Sequence, residues 1–178
     1  MIMKDAMNKY FDLRKECFDK GLDFLFKTSY NEDVGSFIYQ GEMDDEEEIL
    51  WKPVEKNTKH HLLGIEERLN IKLHTSINDY FNSYWFADLD GFIDNHYIKL
   101  EAVLPNIELD SFKSTLEGYK DNHDNRIDKI PIGVEGNGLI VVLDNTDGKI
   151  ELADFERGSF EGIANSLDEL ISSLRVKK

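Results

Sequence analysis

The sequence has 178 residues, 40% of them hydrophobic and 32% charged, a balance that suits one domain over 1–178 able to bury a core without disulfides or metal. With 36 acidic and 21 basic residues the net charge is −15, which repels nucleic acid and anionic lipid and attracts basic partners over ~8–10 Å. The single cysteine, Cys17, excludes an internal disulfide, and no run reaches the ~18 apolar residues of a membrane-spanning helix.

The first residues, Met1 to Asp5, lack the apolar core of a signal peptide, so the expected location is the cytoplasm. Residues 3–20 predict a helix with Met3, Met7, Tyr10, Phe11, Arg14, Cys17 and Phe18 on one side, and Gly21 stands where a left-handed cap belongs. On that side Cys17 reads as a small buried hydrophobe, with no basic cluster nearby to activate a thiolate. Residues 22–35 have no clean period. Ser36 to Gln40 suits a short strand. Every position of 42–48 except Met43 is acidic, which predicts an exposed, extended or mobile run open to a basic partner or a cation. Ile49 to Val54 reads as a strand that stops or bends near Pro53.

Leu62, Leu63, Ile65, Glu66 and Leu69 suggest a short helix despite Gly64. In the stretch 73–86, Ile77, Tyr80, Phe81, Tyr84 and Trp85 fall on one face of a helix, capped by Thr75 or Ser76, with Asn78, Asp79, Asn82 and Ser83 opposite. This aromatic stripe reads as core rather than as a partner groove or cofactor box, with Trp85 among the buried rings. Asp88 to Gly91 predicts a turn and Tyr97 to Val103 a half-exposed strand. Asp110-Ser111 opens a helix carrying Phe112, Leu116 and Tyr119. Lys129 to Glu135, an Asn137-Gly138 hairpin, Leu139 to Leu143 and Lys149 to Leu152 read as a three-strand meander, its middle strand covered on both faces. Ser166 to Glu169 is a capping box opening a last helix, with Lys177 and Lys178 set for its dipole. Five helices around a mostly antiparallel sheet make the class α+β.

Chemistry is hard to find. Gly133 to Gly138 lacks the G-x-G-x-x-G spacing and precedes a strand, where a phosphate loop needs a helix. Asp88 to Asp94 and Asp144 to Gly148 place their glycines away from position six of a calcium loop and lack its bidentate acid at position twelve. None of His60, His61, His74, His96 and His123 makes an H-x-x-x-H pair; His74 reads as a capping or core histidine, and Ser76 lacks a nucleophile turn. The expectation is a protein with no catalytic residues, no metal and no cofactor.

Leu50-Trp51-Lys52-Pro53-Val54, Ile65-Glu66 with Leu69, and Leu73 to Ile77 leading into Tyr80 to Trp85 resemble the bacterial Syd family, the SecY-interacting proteins. Asp110-Ser111-Phe112, Leu116 to Tyr119, Ile130 to Gly133, Glu135-Gly136-Asn137, the Asp147-Gly148 hairpin and Ala164 to Leu170 follow in the same order. The likeness runs over 49–175, while 1–48 matches loosely as one N-terminal helix. It implies an α+β fold of the SUKH superfamily, a single domain whose mostly antiparallel sheet is flanked by helices. It also implies a non-enzymatic protein whose acidic concave surface docks on basic cytoplasmic loops of the SecY translocon, meeting the cytosolic face of the membrane only through that partner. SUKH relatives include immunity proteins, so a cognate toxin is the alternative partner; the acidic run 42–48 is foreign to the Syd pattern. The acids beside the matching motifs, Glu66, Asp88, Asp90 and Glu135, are the candidate partner-binding residues. Reversing Glu66 and Asp88 together is expected to weaken binding and spare the fold.

Overall fold

A computed structural model describes residues 2–59 and 62–177. The expectations for Met1, His60, His61 and Lys178 fall outside these residues. Helix α1 (Met3–Asp19) buries Met3, Met7, Tyr10, Phe11, Arg14 and Cys17 of the predicted stripe, with Ala6 beside them, while Phe18 is half-buried. It closes as the sequence suggests: the Gly21 amide donates to Phe18 O (3.0 Å) and the Leu22 amide to Cys17 O (3.2 Å), with Gly21 at φ +108°.

Strands β1 (Lys27–Ser29), β2 (Tyr39–Gln40) and β3 (Glu48–Trp51) form an antiparallel sheet in the order β1-β3-β2. The acidic run is largely exposed, as expected, but residues 42–47 form a bonded turn between β2 and β3, and Glu48 opens β3. Asp44 explains why: its carboxylate accepts the Glu46 and Glu48 amides, each at 2.9 Å, and Lys27 approaches it to 3.1 Å. Such local side-chain bonds shape turns. The Glu48 amide first, then Lys27, hold the Asp44 carboxyl below its ordinary range. The following strand breaks at Pro53 as predicted, and β4 (Val54–Glu55) resumes beyond it.

After α2 (Leu63–Leu69) comes α3 (Thr75–Phe81), and here the sequence reading needs correction. Tyr84 and Trp85 do not continue the helix; they form β5 (Tyr84–Trp85), paired with β4, and are half-buried. The Ser83 hydroxyl donates to Asp79 O at 2.5 Å, taking the carbonyl that its own amide needs in a continuing helix. The cap is His74, whose Nδ1 accepts the Ser76 amide at 3.2 Å.

Six antiparallel strands make the main sheet: β6 (Leu89–Ile93), β7 (His96–Leu100), β8 (Lys129–Glu135), β9 (Ile140–Asp144), β10 (Ile150–Asp154) and β11 (Ser159–Ala164), in chain order across it. The meander is thus twice as wide as the sequence suggests. The turn expected at Asp88 to Gly91 is instead the start of β6; the chain reverses at Asp94, which adopts φ +51°. Pro131 sits inside β8 without disrupting it because the register shifts between Pro131 and Gly133, a bulge that absorbs the missing amide. Helix α4 (Asp110–Asn122) packs on β8. Helix α5 (Leu167–Ser173) is capped by the Ser166 hydroxyl, with Glu169 reaching back to the Asn165 amide at 2.8 Å.

The sheet curls. His96 on β7 and Glu161 on β11 lie four strand spacings apart, roughly 19 Å in a flat sheet, yet His96 Nε2 stands 3.8 Å from Glu161 Oε2. One hydrophobic cluster runs from Met3 to Leu174, with Leu167, Leu170 and Ile171 of α5 in it. The sheet thus has an inner face on this core and an outer face that α4 covers in part.

Candidate partner-binding surface

Each of the four acids singled out in the sequence is bonded within the fold. Glu66 on α2 is half-buried, and its Oε2 accepts the Leu73 amide at 2.9 Å, tying α2 to the approach of α3. Asp88 pairs with Lys99 on β7 at 3.0 Å and is 13% exposed, whereas Lys99 is 51% exposed. Asp90 lies opposite Lys99 in the β6–β7 register, so Asp88 and Asp90 flank one lysine on the outer face. Glu135 lies opposite Ile98 and therefore on the inner face. There its side chain is buried, receives the Asn137 amide and meets His96 Nδ1 at 2.8 Å. Burial pushes the Glu135 carboxyl up, but the Asn137 amide and His96 outweigh it and hold the carboxyl below its ordinary range. Asp88 and Asp90 therefore come together, while Glu66 and Glu135 stand apart from them. The double reversal of Glu66 and Asp88 would remove two internal bonds, so a fold left intact is no longer the expectation.

The group missed in the sequence surrounds Asp90. Arg14, on the apolar side of α1, donates from Nη1 to Asp90 Oδ1 (2.6 Å) and Tyr10 OH (2.7 Å), and from Nε to Leu25 O (2.7 Å). Tyr97 OH donates to the other Asp90 oxygen, and Tyr10 OH to Asp90 O at 2.6 Å. The available signal was an arginine in an apolar stripe, since such a charge must find a partner.

Burial pushes the Tyr10 hydroxyl up to about 12, with Arg14 opposing and Asp90 adding to it. Tyrosine in the unfolded chain titrates near 10, so between these values the folded state holds the extra proton. Its stabilising contribution is full below pH ~10 and is lost as pH rises through about 12, amounting to about 3 kcal/mol. Urea titrations from pH 9 to 12 should therefore show a steeper loss in the parent than in Tyr10→Phe. Equal slopes would contradict this assignment.

The outer face carries one cross-strand row: Asp90 on β6, Lys99, Val134, Ile140, Ala153 and Phe160 on β11. Part of that row is uncovered, with Val134 53% and Phe160 42% exposed, and Tyr97, outside the row on the same face, is 39% exposed. Beside the row runs a groove of about 450 Å³ between α4 and the sheet, walled by Tyr119, His123 and Phe155 over Val134 and Ile140. Tyr119 and His123 stack at 3.8 Å, and Phe155 meets both edge-on. Glu101 lines the groove, and burial raises its carboxyl above the ordinary range. The groove is largely apolar, with Glu101, Lys99 and His123 as the charged or titratable side chains of its lining. Among the described residues no helix is long and apolar enough to cross a membrane.

The family described as Syd protein (SUKH-2) matches residues 3–175, including the N-terminal helix that the sequence motifs matched only loosely. Protein Syd of Hahella chejuensis (strain KCTC 2396) is 26% identical over 113 residues, which are 62% of this chain and 59% of that protein. Protein Syd of Psychromonas ingrahamii (strain DSM 17664 / CCUG 51855 / 37) is 38% identical over 52 residues, 29% of this chain and 28% of that protein. The matches thus span less than two thirds of either relative's length.

Proposed function

The chain belongs to the Syd family, and from that premise we propose that it is a non-enzymatic binding module for basic cytoplasmic loops of the SecY translocon. It would act in the cytoplasm and reach the membrane only through that partner. The observation that carries this reading is the net charge of −15. Such a field accelerates encounter with a cationic loop and repels anionic surfaces.

Of the four acids, Asp88 is the one we assign to direct contact. Its lysine partner is half-exposed, so a partner's cation can take that lysine's place at little cost. Asp90, Glu66 and Glu135 add to the field while remaining held by their own bonds.

A synthetic peptide bearing a basic SecY cytoplasmic loop tests the reading. Its association rate should fall steeply as salt rises, because screening shortens the range of attraction. Asp88→Asn should weaken binding by about threefold, roughly 0.7 kcal/mol, while the fold keeps the stability that the pair of the largely buried Asp88 with Lys99 does not supply. Parent binding that ignores salt would mean the charge is merely solvated.

A further inference from the structure

The two edges of the main sheet differ. At β6 the edge is closed: Phe92 exchanges two backbone hydrogen bonds with Arg175 (2.8 and 2.9 Å), and Tyr10 OH bonds both the amide (3.0 Å) and the carbonyl (2.6 Å) of Asp90. A Cβ on Gly91 would lie 2.7 Å from Arg175 O, so only glycine lets the closing segment approach. At β11, among the described residues, the strand pairs with β10 alone. The stretch Ser159–Gly162 is exposed throughout. It contains no lysine or proline; its one charge, Glu161, points inward, where it deters pairing with a like edge and leaves the strand open to a basic one.

Its side chains alternate in chemistry as well as direction. Phe160 points to the outer face, beside Phe155 at 5.9 Å and under Lys129 Nζ at 4.9 Å. Glu161 points to the inner face with 66% of its side chain exposed. The hairpin 150–164 holds Glu151, Asp154, Glu156 and Glu161 against Arg157 alone. A second copy of this chain would bring the same excess of acid to the edge, whereas a basic segment complements it.

We propose that the β11 edge takes an extended cationic segment as a seventh strand. Basic residues of that segment face Glu161, and the apolar residues between them face Phe160. Main-chain bonds give the hold and the alternation gives the selection. This inference rests on the reading of the protein as a module for basic loops, and it adds where and in what conformation the loop is held.

The test uses the full chain and two blocked octapeptides of equal charge, one alternating lysine and valine, the other with four lysines followed by four valines. Amide hydrogen exchange, read residue by residue, should slow within residues 159–162 when the alternating peptide binds, and that peptide should bind at least tenfold tighter. Glu161→Lys should weaken it at least fivefold while the β10 amides stay protected, which certifies the fold. Binding of both peptides with β11 exchange unchanged would overturn this inference and leave the basic-loop reading standing. Binding of neither peptide, nor of the SecY loop peptide, would overturn both. Protection of β11 that grows with the protein's own concentration would give the edge to a second copy and overturn the proposal.

Discussion

Replacing Arg14 with methionine is expected to destabilise the fold by about 3–5 kcal/mol, the usual cost of removing one member of a buried ion pair. The guanidinium is 4% exposed and the Asp90 carboxylate 19%. Arg14 also bonds Leu25 O and Tyr10 OH, and its guanidinium lies 5.5 Å from the Phe26 ring and 5.7 Å from the Trp51 ring. Methionine preserves much of the packing but leaves the carboxylate with Tyr97 alone. Arg14→Met with Asp90→Asn removes both charges, and asparagine can still accept from Tyr97. The double variant should therefore lose less than the two single losses combined, by roughly 1–3 kcal/mol. Urea unfolding of the four proteins supplies the cycle. A single-variant loss below about 1 kcal/mol would place the pair with exposed ion pairs and remove it from the framework that seals β6.

The parts of the fold that were legible in the sequence are those whose signal is local. The α1 stripe, the Gly21 cap, α4 with Phe112, Leu116 and Tyr119, and the Ser166 capping box all depend on neighbours within a few residues, and all are present. The two clear misreadings have tertiary causes. The aromatic spacing through Trp85 fits a helix, but Tyr84 and Trp85 gain strand partners in Val54 and Glu55, thirty residues upstream, while Ser83 takes the last helical carbonyl. Asp88 to Gly91 has the composition of a turn, yet β6 forms because Tyr10, Arg14 and Arg175 bond its polar groups from distant parts of the chain. Strand β11 escaped notice because it is exposed on its first four residues and so lacks a buried face to pattern its sequence. For the candidate surface, the acids could be found by composition. Which of them are bonded internally could not, since Asp90 meets Arg14 across 76 positions.

The same contrast between local and distant determinants decides which tryptophan holds the core. Trp51→Ala is expected to cost about 3–5 kcal/mol, the range for truncating a buried aromatic ring. Trp51 is 1% exposed, packs edge-on against Phe26 at 5.0 Å and Phe11 at 6.3 Å, and joins β3 to α1. Trp85, which the helical spacing made a core ring, is half-buried on β5, with Lys56 Nζ 3.9 Å from its centroid. Its truncation removes less buried area and one cation–π contact, a loss of about 1–2 kcal/mol. Trp51→Phe adds a control. Trp51 Nε1 is buried without a hydrogen-bond partner among the described residues, so phenylalanine gives up ring volume but relieves an unmet donor. That variant should lie between the parent and Trp51→Ala in thermal and urea unfolding. If Trp85→Ala proved the more damaging of the two alanine variants, the core would be centred on β5 and the assignment of Trp51 would fail.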